Sequence, residues 1–461
     1  MNDKDTLSIV DHSRIENLSG PRVSNVRAWY MVSILMLAYI VGTVDRQILS
    51  LLVEPIKSDL HISDTGFSLL GGFAFAIFYT LLGLPLGYLA DHTSRKKIIS
   101  AGILTWSVMT TLCGSAGSYL QLFLYRIGVG AGESTLGPAA SSIITDLFPP
   151  KQLGGAMGVF IAGTSLGSGI ALIGGGALIA YLSAISPVSL PVLGIVQPWQ
   201  LVFFCLGVPG IIVAILLAFG TEPKRKVLAG QASVPTKIGL SDALAVLPYL
   251  KGNRHLYLAL IGSFSLIGVM LHAFLLWTPS FFMRSLGWSA METGTSLGIL
   301  LLVFGTIGSL GGGLLLNIFQ KRCVDVAAIR VAICCTSICM VSTLVLFLMP
   351  SSLVSLFPLA VAVLSFWALG PIMQAAILTV TDGRYIGRIS AFTYFLTNMI
   401  GMGMGPLLVG LLTDFVFKDE ALVGTSLAIV LSLAGMMTIG LLFGGIKPFR
   451  AATEPELQRQ P

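Results

Sequence analysis

The stretch at residues 66–97, GFSLLGGFAFAIFYTLLGLPLGYLADHTSRKK, decides the fold class. Residues 66–90 carry no charge, and Asp91 and then the bases at 95–97 follow them directly. An apolar helix of about 20 residues is long enough to cross the hydrocarbon core of a bilayer. Because lipid offers no hydrogen bonds to the backbone, such a run must be helical. The stretch therefore predicts a membrane-spanning helix that ends in a charged loop.

The rest of the chain has the same character. Its residues are 55% hydrophobic and only 10% charged, and its mean hydropathy is +0.89. Soluble domains carry roughly 25% charged residues, so this composition excludes an ordinary soluble protein. We expect an all-α membrane protein with twelve transmembrane helices, near 29–53, 66–90, 97–116, 119–145, 153–181, 198–219, 256–283, 291–317, 326–349, 353–380, 386–413 and 422–446.

The distribution of Lys and Arg predicts the orientation, because cytosolic loops carry an excess of these residues. With the amino terminus inside, only Lys57, Arg284 and Lys418 of the 27 bases fall in outer loops. Arg46 and Arg126 fall inside predicted spans. We therefore expect both termini in the cytosol and interpret the net charge of +6 as a topology signal rather than a nucleic-acid surface.

An internal repeat divides the chain. The segment from Gly87 to Asp91, with its following bases, recurs as Gly313 to Asn317 followed by Lys321 and Arg322. Many transporters are built from such repeats, with the substrate site near the midplane between them. The predicted parts are a tail at 1–28, a six-helix bundle at 29–219, a cytosolic linker at 220–255, a second six-helix bundle at 256–446 and a tail at 447–461.

Four charges lie where lipid would exclude them: Asp45 and Arg46 in the first span, and Arg126 and Glu133 in the fourth. An ionisable residue inside the membrane is costly and points to a functional site. At 1.5 Å per residue, Asp45 and Arg126 lie at similar depths of ~10–12 Å from the outer side, where they can meet. Glu133 lies two turns further in, on the same helix face as Arg126.

This arrangement suits proton coupling. Burial favours the neutral form of a carboxyl group, and a neighbouring arginine favours its charged form. Asp45 and Glu133 are the candidate proton carriers, because arginine stays protonated, and Arg46 and Arg126 are their partners or bind a substrate anion. The alternative is an ion-pair clamp that only holds the helices together.

A cytosolic gate is predicted at Asp91, Arg95 and Lys96, between the second and third spans. An acid at a helix end can pair with bases of the neighbouring bundle and close the inner side. Asp146, at the inner end of the fourth span, could serve the same latch. The alternative is a merely solvated turn.

The second half holds almost no charge within its spans. Its candidate cavity residues are polar or aromatic, and Tyr79 of the first half joins them: Tyr79, His272, Trp277, Tyr394 and Asn398. Each has a structural alternative. A lone buried histidine is more often hydrogen-bonded between helices, an asparagine can join helices, and a single aromatic is more often packing.

Two of these motifs resemble a known family. The segment from Gly87 to Lys97 resembles the loop signature of the major facilitator superfamily, and Arg126-Ile-Gly-Val-Gly-Ala-Gly-Glu133 resembles its fourth-helix signature. The Asp45-Arg46 pair resembles the Spinster branch in particular, together with the matching positions Leu60, Asp64, Pro138, Asp146-Leu-Phe148 and Gly167-Ser-Gly169.

The resemblance implies the major facilitator fold, with two six-helix bundles related by a pseudo-twofold axis and rocker-switch alternating access. It implies a bacterial homologue that moves an amphipathic anion or lysolipid, such as a lysophospholipid or a sphingosine-phosphate-like molecule, with protons. A proton symporter of small organic anions such as sugar acids remains the alternative, and symport and antiport stay open. A non-transporting sensor is expected to carry a longer signalling tail.

No nucleophile motif, phosphate loop or metal-ligand cluster points to an enzyme. The six cysteines form no paired C-x-x-C motifs, which argues against a zinc site. We therefore expect no cofactor and no metal, no nucleic-acid partner, and a monomer in a bacterial inner membrane.

Overall fold

The first helix shows how local sequence sets the ends of the predicted spans. Helix α1 (Asn25–Gln47) begins after Ser24, whose side chain accepts a hydrogen bond from the backbone N–H of Arg27. The chain tightens into a 3₁₀ turn at Ile48–Leu51 and continues as the short helix α2 (Val53–Leu60). Helix α2 ends at His61, which adopts a left-handed backbone conformation that stops a helix.

The structure is a computed structural model that describes residues 24–185, 188–190, 194–223, 225, 246–322, 326–348, 354–383 and 385–457. The described residues leave out 1–23 of the first predicted tail, 458–461 of the second tail, most of the linker at 220–255, and Cys323. Up to the linker, α1 and α2 are followed by α3 (Asp64–Ser68), α4 (Ala74–His92), α5 (Arg95–Cys113), α6 (Tyr119–Glu133), α7 (Leu136–Leu147), α8 (Pro150–Ser183), the antiparallel strands β1 (Val188–Leu190) and β2 (Gly194–Val196), and α9 (Pro198–Ala218).

The short helix α10 (Leu247–Gly252) lies near the end of the predicted linker. The helices that follow it are α11 (Arg254–Leu286), α12 (Ala290–Leu300), α13 (Thr306–Lys321), α14 (Ala327–Leu348), α15 (Leu356–Thr379), α16 (Ile386–Leu411) and α17 (Val423–Leu457). A 3₁₀ turn at Glu420–Leu422 leads into α17.

The repeat seen in the sequence has a counterpart in the backbone. A one-turn π-helical segment, Leu69–Phe73, joins α3 to α4, and another, Leu301–Gly305, joins α12 to α13. A third, Leu412–Phe417, extends α16. Such segments widen a helix locally and are frequent at functional sites. The two copies of the loop signature therefore end helices of similar construction.

Ten helices among the described residues are long and apolar enough to cross a membrane: Asn25–Leu51, Asp64–Gly83, Gln152–Ser183, Pro198–Ala218, Arg254–Leu286, Ala290–Lys321, Ala327–Leu348, Leu356–Thr379, Ile386–Phe417 and Glu420–Thr453. Each matches one predicted span. The other two predicted spans, 97–116 and 119–145, are helical as α5 and as α6 with α7. These helices do not meet the same standard of length and apolarity, because α5 begins with three bases and the helix break between Glu133 and Leu136 shortens α6.

Three buried apolar clusters show where the parts of the chain meet. One cluster joins residues 48–70 to residues 269–282 and 409–434, from both sides of the linker. The buried members of the second lie at Val246, near the end of the linker, and beyond it, and those of the third all precede the linker. We call the end with residues 48–68 and 406–422 the outer end, and the end with residues 92–95 and 220–223 the inner end. The two parts of the chain thus share a core at the outer end.

Candidate functional site

Asp45 lies in the last turn of α1 and is 1% exposed. Its Oδ2 accepts a hydrogen bond of 3.0 Å from the hydroxyl of Thr110 on α5. Its Oδ1 is buried and makes no hydrogen bond within the described part of the chain. Burying a carboxylate oxygen without a donor is costly, and a proton on the carboxyl group removes that cost. Among the described residues, the Thr110 hydroxyl is therefore the hydrogen-bond donor to this carboxylate.

Glu133 ends α6 and pairs with Arg46, the neighbour of Asp45. Glu133 Oε2 lies 3.1 Å from Arg46 Nη1, and their side chains are 4% and 21% exposed. Gly42 makes room for this pair, since a Cβ at that position would lie 3.2 Å from Glu133 Oε2. Glu133 Oε1 is buried without a hydrogen-bond partner among the described residues. The structure thus pairs a buried acid of α6 with a partly exposed base of α1.

Arg126 contacts Asp45 through the backbone. Its Nη1 donates to the carbonyl oxygen of Asp45 at 3.5 Å, and its guanidinium lies 5.6 Å from the centre of the Phe75 ring. No ion pair within 4 Å joins the Arg126 and Asp45 side chains among the described residues. Arg126 and Asp45 are therefore in contact, as expected, but the carboxylate of Asp45 is hydrogen-bonded to Thr110 and not to Arg126.

Phe75 and Tyr79 form an aromatic shelf beneath the two arginines. The rings stack 5.3 Å apart, and the Arg46 guanidinium lies 5.5 Å and 5.8 Å from their centres. A cation above an aromatic face is attracted by the ring quadrupole. Gly130 allows this approach, because a Cβ there would lie 2.7 Å from the carbonyl oxygen of Phe75. The glycines of the α6 signature therefore set the distance between α4 and α6.

The predicted cavity residues after the linker fall into two groups. His272 is half-buried and donates from Nδ1 to the carbonyl of Gly268 at 2.9 Å. Tyr394 is 48% exposed and Asn398 is half-buried, both on α16. The cavity role of these three residues stays a prediction.

Trp277 does not fit that role in this conformation. It is fully buried, and its indole N–H donates to the carbonyl of Pro406 at 3.1 Å. Its ring also packs against Phe67 and beneath Arg284, at the outer end. Tertiary packing therefore makes Trp277 a structural contact between helices, where spacing along the sequence predicted a cavity wall.

The predicted gate residues at the inner end form one network. Arg95 is 1% exposed and donates from Nη1 to Asp146 at 2.5 Å and from Nη2 to the carbonyl of Pro223 at 2.9 Å. Its backbone N–H donates to Glu222 at 2.8 Å. Lys96 donates to the carbonyls at the end of α9. The side chain of Asp91 lies outside the described part.

This network corrects one expectation. We expected the latch to form between bundles, but the Arg95–Asp146 pair joins α5 to α7, both before the linker. The two residues between α4 and α5, Thr93 and Ser94, are too few to carry Arg95 away from its own half. Thr110 and Glu222 were not among the predicted site residues. Their signals were a hydroxyl within a predicted span and the first acid after residue 219.

Comparison with known proteins agrees with this geometry. The family model described as Major Facilitator Superfamily matches residues 35–406. The chain belongs to the major facilitator superfamily. It is 26% identical over 425 residues to an MFS-type efflux pump of Mycolicibacterium smegmatis, covering 92% of each chain. It is 25% identical over 436 residues to a hexuronate transporter of Bacillus subtilis, covering 92% of this chain and 97% of that one.

A solved structure supports the narrower resemblance. The chain matches a bacterial homologue of the human lysosomal transporter Spinster, in an inward-facing and occupied conformation, with a TM-score of 0.73. The two are 25% identical, and the match covers 95% of this chain and 99% of that one. The resemblance to Spinster proteins that the helix-one and helix-four motifs indicated is confirmed. These relatives are transporters, not enzymes.

Proposed function

We propose that this superfamily member is a proton-coupled secondary transporter that moves an amphipathic anion, such as a lysolipid, by alternating access. We further propose twelve transmembrane helices in two six-helix bundles, with both termini in the cytosol of a bacterium. The observation that carries the proposal is the Arg46–Glu133 pair beside Asp45, in which Glu133 is buried and Arg46 is partly exposed. One oxygen of each carboxylate has no hydrogen-bond donor among the described residues, and a simple helix clamp does not require such an arrangement.

Proton coupling follows from how these groups share their partners. Arg46 bonds to Glu133 while its neighbour Asp45 relies on one hydroxyl. An anion that binds Arg46 competes with Glu133 for the guanidinium, and a carboxylate that loses its buried cation is stabilised by a proton. Binding of substrate and of a proton would therefore favour each other.

The substrate headgroup is assigned from Arg46. It is the more exposed member of its pair, and its planar guanidinium can bind a phosphate or a carboxylate with two hydrogen bonds. An anionic headgroup would lie at the Arg46 guanidinium, next to the aromatic shelf. His272 is the candidate for a second headgroup contact from the part of the chain after the linker.

The tail is assigned from the surroundings of Tyr394. This ring is half exposed, packs against Phe264, and belongs to a part of the chain whose spans carry almost no charge. An acyl chain needs such an apolar wall.

A small organic anion is the second candidate. The hexuronate transporter of Bacillus subtilis aligns over nearly the whole chain. A sugar acid would use the same guanidinium of Arg46 but has no tail for the apolar wall. The two candidates therefore share the headgroup site and differ beyond it.

Purified protein in proteoliposomes distinguishes these candidates. Lysophosphatidate, sphingosine phosphate and glucuronate are each tested for thermal stabilisation and then for uptake driven by a pH gradient. We expect the two lipids, lysophosphatidate and sphingosine phosphate, to stabilise the protein and to be transported. Uptake of glucuronate alone would establish the second candidate, and uptake that ignores the pH gradient would refute proton coupling.

A further inference from the structure

Asp64 is the centre of a charge network at the outer end. It is fully buried at the start of α3, and Arg284 of α11 donates to both of its carboxylate oxygens, at 2.7 Å and 2.8 Å. Lys57 of α2 bonds to the same carboxylate. Arg284 and Lys57 are two of the three bases that the topology places outside. Both bases lie outside, against the general excess of Lys and Arg on the inner side, because both pair with Asp64.

Two further acids, both more exposed than Asp64, complete the network. Glu54 accepts from Arg284 Nε at 2.7 Å. Glu420 lies 2.9 Å from Lys57 and 3.7 Å from Arg284, and its carbonyl accepts from Arg284 at 3.2 Å. Glu54, Lys57 and Asp64 precede the linker, whereas Arg284 and Glu420 follow it. Every contact of Arg284 with Glu54 or Asp64 therefore joins the two parts of the chain.

Backbone contacts below the charges join the same parts. Asp414 accepts from the backbone N–H groups of Asp64 and Thr65, at 3.3 Å and 2.6 Å. The hydroxyl of Ser68 donates to the carbonyl of Pro406 at 2.8 Å. A Cβ at Gly410 would lie 2.7 Å from Ser68 Oγ, closer than side-chain atoms come. The network therefore exists only while α3 and α16 are in direct contact.

These charges can separate as readily as they meet. Taking two charges out of water costs much of what their attraction returns, so a buried ion pair is close to energetic balance. When the outer end opens, water reaches each partner and the cost of burial is recovered. Apolar packing of the same area would stabilise the closed form relative to the open form by more than these ion pairs do. A balanced contact suits a surface that must open and close in each cycle.

We propose that Glu54, Lys57, Asp64, Arg284 and Glu420 form an outer charge lock that closes the outer end and sets the balance between the two open forms of the transporter. The inference rests on the alternating access proposed above. The lock contains none of the four charges at Asp45, Arg46, Arg126 and Glu133. Its two cations, Lys57 and Arg284, are two of the three bases that the topology places outside. Asp64 and Arg284 are its central pair.

Hydrogen–deuterium exchange on the full-length protein tests the lock without a substrate. We expect Asp64→Asn and Arg284→Gln each to raise exchange about tenfold at residues 53–68 and 412–422, because breaking a buried pair destabilises the closed form. Glu54→Gln removes only an exposed partner and should raise exchange less. Lys418→Gln is the matched control, since Lys418 is an exposed outer base whose side chain pairs with no acid within 4 Å among the described residues.

The double variant with Asp64→Asn and Arg284→Gln should raise exchange by less than the product of the two single rises, since both substitutions remove the Asp64–Arg284 contact. Unchanged exchange in the single variants, or an equal rise in the Lys418→Gln control, would overturn the lock. If the central variants exchange faster along the whole chain, the milder variant Glu54→Gln becomes the test. The absence of a local rise in exchange in Glu54→Gln would then overturn the proposal. Failure of proton-driven uptake would refute the proposed function and leave these exchange results unaffected.

Discussion

Glu133→Gln is the substitution that tests the proposed coupling most directly. Glutamine keeps the volume of the side chain, and its amide oxygen can still accept a hydrogen bond from Arg46. What is lost is the negative charge 3.1 Å from Arg46 Nη1. The variant therefore imitates a permanently protonated Glu133 and can no longer release a proton.

The cost to stability should be modest. Removing one partner of a fully buried ion pair costs about 3–5 kcal/mol. Because the Arg46 side chain is 21% exposed and stays above Phe75 and Tyr79, we expect about 1–3 kcal/mol here. The protein should remain folded, so a change in transport can be assigned to the lost proton site.

The effect on transport should be larger and specific. A pH difference of one unit is worth about 1.4 kcal/mol per proton, so one coupled proton can accumulate substrate about tenfold. Wild-type proteoliposomes should approach that ratio. Glu133→Gln should accumulate none, while exchange of labelled for unlabelled substrate across the membrane, which needs no net proton movement, should continue.

Asp59→Asn serves as the control, because Asp59 is an exposed acid on α2 that accepts a hydrogen bond from Trp199 far from the site. It should accumulate substrate as the wild type does. Tenfold accumulation by Glu133→Gln would refute the assignment of the proton site. Loss of exchange together with accumulation would also refute it, because the residue would then be required for binding or folding.

Three further substitutions follow from the geometry. Thr110→Val removes the hydroxyl that bonds to the buried carboxylate of Asp45 and should lower the free energy of unfolding by about 1–3 kcal/mol, measured by denaturation in detergent. Gly294→Ala places a Cβ 2.2 Å from the carbonyl of Leu172, so α8 and α12 must separate, and exchange at the outer end should rise. Phe75→Leu removes the ring beneath both arginines and should weaken anion binding several-fold in a thermal-shift titration, by about 0.5–1 kcal/mol per cation–π contact.

The location of the four buried charges could be predicted without coordinates, but their partners could not. A charge inside an apolar run is visible because of what it costs in lipid. Whether Arg46 or Arg126 meets Glu133 depends on how α1 and α6 are rotated about their axes. Gly42 and Gly130 set those rotations by letting α1 and α4 approach α6, and one-dimensional spacing does not contain that information.

Amino-acid order alone determined that this chain crosses a membrane, because ten apolar runs have no other stable solvent and no alternative to the helix. It also indicated the superfamily, whose signatures lie in loops and helix faces that are local in sequence. The tertiary structure decided which residues work together. It turned Trp277 from an expected cavity wall into an interhelix contact, and it gathered Lys57 and Arg284, far apart in sequence, around Asp64. Such partners are chosen by the packing of helices, which forms only when distant spans meet.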